Sequence, residues 1–533
     1  MTMKKLNILF IAFGMLALLS SCDDYLDKLP DDRASLDTEE KITQFLISCY
    51  GTRNNAYVQE YSSDNVGFNG SQYKVQPNQD KLYHFEDVET ENNDDPRSLW
   101  NNYYAAVASA NIALDAIDQM GNPASLKGQR AEALLCRAWG MFRLATLFCM
   151  AYDPTKEYLG LPYPKVAGVS VNERGTLTEL YDNINADIEE ALPNVSDLHL
   201  SNPKFHFNRK AAYAFAARFN LYYLKWEKAV QYANEVLGTG DPTAMLRDWS
   251  EYVPYGSAEI GTSYINSGLN CNLMIHNAYS IAGRCWYYST YRRYGYSPSM
   301  RGYELYSPAC IWGRGTSITG NSPTQSLVQA AKNYGSSPNF RFPRITETFE
   351  YTDKTGNSGY AHIVDVPFTT DETLLVRAEA NTMLKKYEDA VRDINYWLTT
   401  HCVHNAVFKL TSVAEIDKFM SGLSVAPAVP ASDKERSIRK ALHPQGFSIE
   451  EGTSQEYILQ LLLHMRRLET QEMGLRFNDI KRYGITYSHI VPEQDDPLVF
   501  EVGDPRGAIQ IPNDVINAGI TPNPRGTAAK TEQ

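Results

Sequence analysis

The chain carries no recognisable signature of a nucleophile or a phosphate site. Its 533 residues contain no Gly-x-Ser-x-Gly, no glycine loop ending in Lys-Ser or Lys-Thr, and no His-Glu-x-x-His. Those absences remove the familiar hydrolase, nucleotide-binding and zinc-protease patterns. Gly313-Arg314-Gly315 is too short to stand in for one of them. Cysteine is sparse, with eight in all. Apart from Cys22, seven remain, an odd set with no zinc spacing, which excludes a complete disulfide framework and leaves them as small buried apolar groups. His401-Cys402-Val403-His404 has no second ligand pair nearby, and neighbours in one loop rarely converge on one metal ion. Positive charge is also short. With 50 Lys and Arg against 63 Asp and Glu, the formal charge is −13, which argues against nucleic acid as a partner. Past the first residues no segment approaches the roughly 20 apolar residues of a membrane-spanning helix.

What is present begins at the N-terminus. Lys4 and Lys5 precede an apolar run from Leu6 to Leu19, the layout of a secretory signal over residues 1–21. Leu19-Ser20-Ser21-Cys22 resembles a bacterial lipobox, in which the Cys22 thiol is acylated and becomes the first mature residue. More than one acyl chain is needed for stable anchoring, at about 0.8 kcal/mol per buried methylene. Loss of Lys4 and Lys5 with the leader takes the formal charge from −13 to −15. Asp23 and Asp24 follow the cysteine, as acidic residues do in surface-exported lipoproteins.

Helical periodicity is clearest from Leu177 to Leu192, where Leu177, Leu180, Tyr181, Ile184, Ile188 and Ala191 form one stripe. Thr176 and Glu179 make a capping-box pattern and Pro193 ends the segment. Further helices are expected over Trp100–Met120, Gln129–Met150, Arg209–Leu224, Glu227–Leu237, Glu372–Leu384 and Tyr387–Leu398. A last helical region spans Gln455–Tyr483, interrupted near Gly474. Two pairs look alike. Lys225-Trp226-Glu227-Lys228-Ala229-Val230 aligns with Lys386-Tyr387-Glu388-Asp389-Ala390-Val391, and Ala217, Asn234 and Leu237 align with Ala378, Asn395 and Leu398. Small residues at that spacing let paired helices cross closely, as in tetratricopeptide repeats. Such pairs bury their faces only by stacking, so about four hairpins are expected, with the 177–192 helix set against the 209–224 helix. The fold class is therefore mostly α: tetratricopeptide-like hairpins forming a frame, with long irregular loops and a few short strands. Residues 22–240 form an N-terminal repeat region. Residues 241–533 follow, containing a loop-rich insertion (241–368) and a final helical repeat (371–483). Residues 51–98 and 421–452 are shorter loop-rich stretches. Long excursions on a rigid frame are where binding usually sits.

At this point the chain resembles the SusD/RagB family of surface lipoproteins over nearly its whole length. The resemblance rests on Cys22-Asp23-Asp24-Tyr25-Leu26-Asp27, Arg130-Ala131-Glu132-Ala133, Arg137-Ala138, Phe142-Arg143-Leu144 and Gly160-Leu161-Pro162-Tyr163. It continues with Arg466-Arg467-Leu468-Glu469, Glu472, Gly474-Leu475-Arg476, Asp479-Ile480-Lys481-Arg482, and the tail from Ile511-Pro512 to Asn523-Pro524. It implies a non-enzymatic protein on the outer membrane, a lid on a SusC-like TonB-dependent transporter that captures oligosaccharide, or peptide in the RagB branch.

Ligand contacts are sought first in the segment from Trp286 to Tyr306. There Trp286, Tyr287, Tyr288, Tyr291, Tyr294, Tyr296, Tyr303 and Tyr306 alternate with Arg292, Arg293 and Arg301, and Trp312 and Arg314 follow. A flat ring suits the C–H face of a sugar, and Arg or Asn suits its hydroxyl rim. Packing of these rings against the frame is the competing role. A stacking role would make Trp286→Ala or Trp312→Ala weaken binding without unfolding the chain. The loop before Trp100, with Asn65, Asn69, Tyr73, Asn92 and Asn93, is a second candidate. Paired acids for glycoside hydrolysis meet only in space, but Glu469 and Glu472 lie beside Arg466, Arg467 and Arg476, which favours a structural charge network. No cofactor is implied, and the residues leave open whether a calcium ion pins a loop.

Overall fold

The computed structural model describes residues 35–168, 173–287, 291–306, 309–314, 327–332, 342–404, 408–491, 494 and 496–526. Cys22 and Tyr288 lie outside the described residues. The frame is built from helices α1 (Pro96–Gln119), α2 (Lys127–Phe148), α3 (Leu177–Ala191), α4 (Arg209–Tyr222), α5 (Trp226–Leu237), α6 (Thr370–Met383), α7 (Tyr387–His401), α8 (Ser454–Glu469) and α9 (Leu475–Tyr483). Their ends follow the capping chemistry. The Thr176 hydroxyl accepts from the Glu179 amide at 3.1 Å, and the Glu179 carboxylate accepts from the Thr176 amide at 2.7 Å, closing a capping box at the start of α3. Asn208 caps α4 through the Ala211 amide, and Gly238, at φ 73°, ends α5. Gly474, at φ 76°, separates α8 from α9.

The two matching hairpins turn in the same way. A left-handed residue, Leu224 (φ 61°) or Lys385 (φ 59°), reverses the chain. The next amide then donates back, from Lys225 to the Asn220 carbonyl at 2.9 Å or from Lys386 to the Asn381 carbonyl at 2.8 Å. Ala217, Ala229, Ala378 and Ala390 are all fully buried, so small residues sit where the helices approach. Arg377 on α6 ties both hairpins together, donating to Asp393 at 2.7 and 2.8 Å and to the Asn234 side chain at 2.9 Å.

Helix α3 departs from the expected pairing. It packs mainly on α2 and is fixed there by a bidentate Arg137–Asp187 pair at 2.6 and 2.7 Å. It meets α4 through rings, with Tyr181 stacked on Phe219 at 5.6 Å. Periodicity shows which face is buried, and the buried charge on that face chooses the partner.

Strands occupy the loop-rich insertion. Five that shape the surface are, in chain order, β1 (Gly67–Phe68, in the N-terminal loop), β2 (Asn272–Tyr279), β3 (Tyr294–Gly295), β4 (Glu347–Asp353) and β5 (Ser358–Thr369). The antiparallel sheet has the order β2–β5–β4, with β4 at its edge, and β1 pairs with β3. Strand β5 runs directly into α6, whose first turn is capped by Thr369.

Two buried charge clusters join distant parts of the chain. Arg218, Arg466 and Arg482 meet Glu372, Glu379 and Asp479, on helices α4, α6, α8 and α9. Arg218 is bidentate to Glu372 at 3.1 Å, Arg466 reaches Asp479 at 3.0 Å and Glu379 at 3.4 Å, and Arg482 reaches Glu379 at 2.6 Å. In the second cluster Asp64 grips Arg476 twice at 2.8 Å. Glu304 there meets Arg436 at 2.8 Å, Lys440 at 3.0 Å and Arg467 at 3.1 Å. The expected network beside Glu469 and Glu472 thus takes a different form, because the arginines reach acids elsewhere. Glu469 instead meets His401 at 2.9 Å and the Trp397 indole at 3.2 Å. His401 is spent on that contact and His404 points to the Thr399 carbonyl.

The first cluster is charge-matched, so removing one member strands its partners. Arg466→Met is expected to lower unfolding free energy by about 3–5 kcal/mol, measured by urea denaturation; a loss below about 1 kcal/mol would contradict the role given to the cluster. Acidification should act on the second cluster. Burial works to raise the Glu304 carboxyl, but Lys440 and Arg467 outweigh it and hold it at about 2. Burial, with Arg467 and Arg476 beside it, holds the His464 imidazole down at about 3. Glu304 therefore contributes fully above its ordinary value near 4.3 and loses that contribution as pH falls toward 2. An unfolded His464 takes up a proton below about 6.5 while the folded one does not, which also destabilises the fold on acidification. Stability should fall between pH 6 and 4.5 with His464 supplying about 1.4 kcal/mol per pH unit, and His464→Gln should remove that share of the slope.

Candidate functional site

The segments nominated for ligand contact divide into a buried set and a surface set. Trp286 is 1% exposed, Tyr296 is fully buried and Trp312 is 2% exposed. Trp312 stacks on His464 at 5.5 Å, and the Tyr296 hydroxyl donates to Glu60 at 3.2 Å. The expectation that these rings offer a face to a ligand is corrected by their burial: large rings in a loop-rich insertion are what seals it onto the frame. Arg314 enters as backbone, paired with Ala309, and its side chain lies outside the described residues.

Asn69, Tyr73, Tyr291 and Arg292 come together, whereas Asn65 bonds Glu60 and Arg467 and Asn92 bonds Asp95. Strand β1 pairs with β3 in the register Gly67 with Gly295 and Phe68 with Tyr294. Beyond it, Asn69 donates its backbone amide to the Arg293 carbonyl at 2.7 Å and its side-chain amide to the Arg292 carbonyl at 3.1 Å. Arg293 donates to the Tyr73 carbonyl at 3.0 Å, and the Arg292 guanidinium lies 5.5 Å over the Tyr73 ring. Asn69, Tyr73 and Arg292 are partly exposed, and Tyr291 is half-buried against the core. The N-terminal loop and the aromatic segment, distant in sequence, form one junction.

A second aromatic surface stands on the hairpin of β4 and β5. Phe349, Tyr351 and Tyr360 are 39%, 50% and 53% exposed. Register sets them on two faces. Phe349 opposes Ala361 and Tyr351 opposes Gly359, while Glu350 opposes Tyr360 and Tyr279 of β2 opposes His362. On the first face Phe349 and Tyr351 meet edge-on at 4.9 Å. A Cβ at Gly359 would collide with the Glu350 backbone carbonyl and fall 2.9 Å from the Phe349 ring, so glycine there lets the paired strand and that ring approach. On the second face Tyr279 stacks on His362 at 4.9 Å and meets Tyr360 at 5.5 Å. His362 is held by Glu350 at 2.9 Å, and Arg53 lies 5.4 Å over the Tyr279 ring. At the base, Arg284 of the Trp286 segment donates to Glu347 at 2.7 Å, so this hairpin is braced by the same insertion that carries the buried rings.

Residues 24–221 match a SusD-like family model described as "Starch-binding associating with outer membrane". The whole fold is similar to solved structures. A SusD superfamily protein from Bacteroides thetaiotaomicron aligns at 16% identity and TM-score 0.61, covering 91% of this chain and 98% of that one. The fold of this chain is that of the SusD superfamily structures. A putative sugar binding protein from Bacteroides vulgatus aligns at 16% identity and TM-score 0.60, covering 92% and 99%. A laminarin binding SusD-like protein aligns at 16% identity and TM-score 0.52, with the same coverage. No curated protein is similar enough in sequence to count as a match.

The SusD-like frame thus carries one aromatic surface that the nomination of segments missed. Alternation in Thr348-Phe349-Glu350-Tyr351-Thr352, followed by a turn through Gly356-Asn357, is the strand-and-turn signal that marks it. Among the described residues no group of three His, Cys, Asp or Glu is placed to hold a metal, and no helix is long and apolar enough to cross a membrane.

Burial separates the two sets in a measurable way. Trp286→Ala is expected to cost about 3–5 kcal/mol of stability, read as a lowered urea midpoint. A variant with wild-type stability and altered ligand affinity would place the ring at the surface instead.

Proposed function

We propose that the chain is a non-enzymatic, lipid-anchored protein of the outer cell surface. It binds an oligosaccharide and passes it to a SusC-like TonB-dependent transporter. The observation that carries the binding half is the exposure of three rings on one hairpin, Phe349 and Tyr351 on one face and Tyr360 on the other. Exposed rings are where a sugar's C–H face is desolvated, while Tyr hydroxyls and the neighbouring Glu350 offer partners to its hydroxyl rim. The junction of Asn69, Tyr73, Tyr291 and Arg292 is the second contact region, and Trp286, Tyr296 and Trp312 serve by holding the insertion in place.

Support for a glycan comes from the description of the matching family model, which names starch, and from a similar structure described as laminarin binding. Attachment through Cys22 follows from the lipobox-like sequence, and delivery to a transporter from the resemblance to the family. An acidic body suits neutral sugars at least as well as any polyanion.

Calorimetry with laminarin-, starch- and xylan-derived oligosaccharides and with a peptide panel tests the binding half. One sugar class should bind, with Tyr351→Ala and Tyr360→Ala each raising Kd about tenfold, near 1.4 kcal/mol, at an unchanged melting temperature. Binding of peptides alone, or no response to sugar at millimolar concentration, would overturn it.

A further inference from the structure

Arg143, on α2, is 8% exposed. Its guanidinium is flanked by the Tyr103 ring at 4.3 Å and the Trp139 ring at 4.6 Å, and its Nη2 donates to the Arg53 carbonyl. Its Nη1 is buried and meets no acceptor. Most buried arginines of the frame behave differently: Arg137, Arg218, Arg377 and Arg466 each meet a carboxylate. Arg143 has no such partner among the described residues. A buried donor on a charged group without an acceptor is expensive, and native proteins resolve it with ordered water, an ion or a small ligand.

Arg143 is part of the wall of a cavity of about 60 Å³, which Arg218, Trp139, Asn54, Gln59 and Asp365 also line. That space suits a few waters or one small anion. Each oxygen of Asp365 and the amide nitrogens of Asn54 and Gln59 already hold a partner. Asp365 takes Asn54 at 2.6 Å and His276 at 3.0 Å, and Gln59 donates to the Thr146 carbonyl at 3.2 Å. Arg218 spends Nε and Nη2 on Glu372 and Pro367. Of the lining side chains, the buried Arg143 Nη1 donor is the one left over, and an anion accepting from it is a fitting partner.

We propose that this cavity binds a small monovalent anion, a halide or a carboxylate group, held chiefly by Arg143 with Arg218 beside it. Trp139 and Phe142 supply an apolar wall, which suits the carbon side of a short carboxylate. The site is separate from the aromatic hairpin and does not depend on the sugar reading.

Crystals of the mature chain soaked in sodium bromide should give an anomalous peak beside Arg143 Nη1. In solution, sodium formate should raise the melting temperature saturably, at an ionic strength held constant with gluconate, an anion too large for the cavity. Asp365→Asn, which removes the carboxylate of the wall, should tighten the formate midpoint roughly tenfold, and Arg143→Gln should abolish the formate effect. Should Arg143→Gln fail to fold, the bromide map and Asp365→Asn still decide. Ordered water in place of bromide, or formate and gluconate acting alike, would overturn the proposal.

Discussion

Four helices of this protein are held by a balanced set of buried charges, and the rest of the architecture depends on that balance. Arg218, Arg466 and Arg482 face Glu372, Glu379 and Asp479 where α4, α6, α8 and α9 converge. A single ion in such a place is strongly disfavoured, whereas a matched and hydrogen-bonded set is tolerated. The geometry is therefore exacting: helices from separate parts of the chain must arrive together, or several carboxylates are left bare. Apolar stripes determine which faces are buried, and these charges select which buried faces meet. The bidentate pairs Arg137–Asp187 and Arg377–Asp393 repeat the principle one helix pair at a time.

Much of the frame was legible in the sequence because its signals are local. Thr176 with Glu179, Asn208, Gly238 and Gly474 mark helix ends by chemistry confined to one turn. The repeated hairpin could be aligned by Ala217 and Ala378, and its two turns share even the left-handed residue that no composition rule favours at Leu224 and Lys385. The partner of α3 was not legible. Its stripe is equally compatible with α2 or α4, and the deciding Arg137–Asp187 contact joins residues far apart in the chain. The same holds for Arg466, Arg467 and Arg476, which reach past nearby Glu469 and Glu472 to acids on other elements.

The aromatic residues show the limit more sharply. A dense run of Tyr and Trp reads the same whether its rings face a ligand or seal an insertion, since both uses select large flat side chains. Trp286, Tyr296 and Trp312 took the second use. Asn69, Tyr73 and Arg292 stand out in the sequence because polar and aromatic residues in a loop have fewer structural explanations, although nothing local shows that β1 and β3 bring them together. The hairpin was missed for the opposite reason. Phe349, Tyr351 and Tyr360 are few and spaced by charged residues, so they do not stand out by density, and only their period of two reveals them.

That spacing has a second effect. Strand β4 ends its sheet, leaving a row of backbone groups open to whatever approaches, and its rings would make the approach of a second copy sticky. Glu350 and Asp353, exposed along the same strand and beside Lys354, put charge between the rings. Two such edges laid together would bring like charges into register and resist zipping into a ladder. A protein crowded beside many identical neighbours can thus keep its rings uncovered without its molecules joining one another.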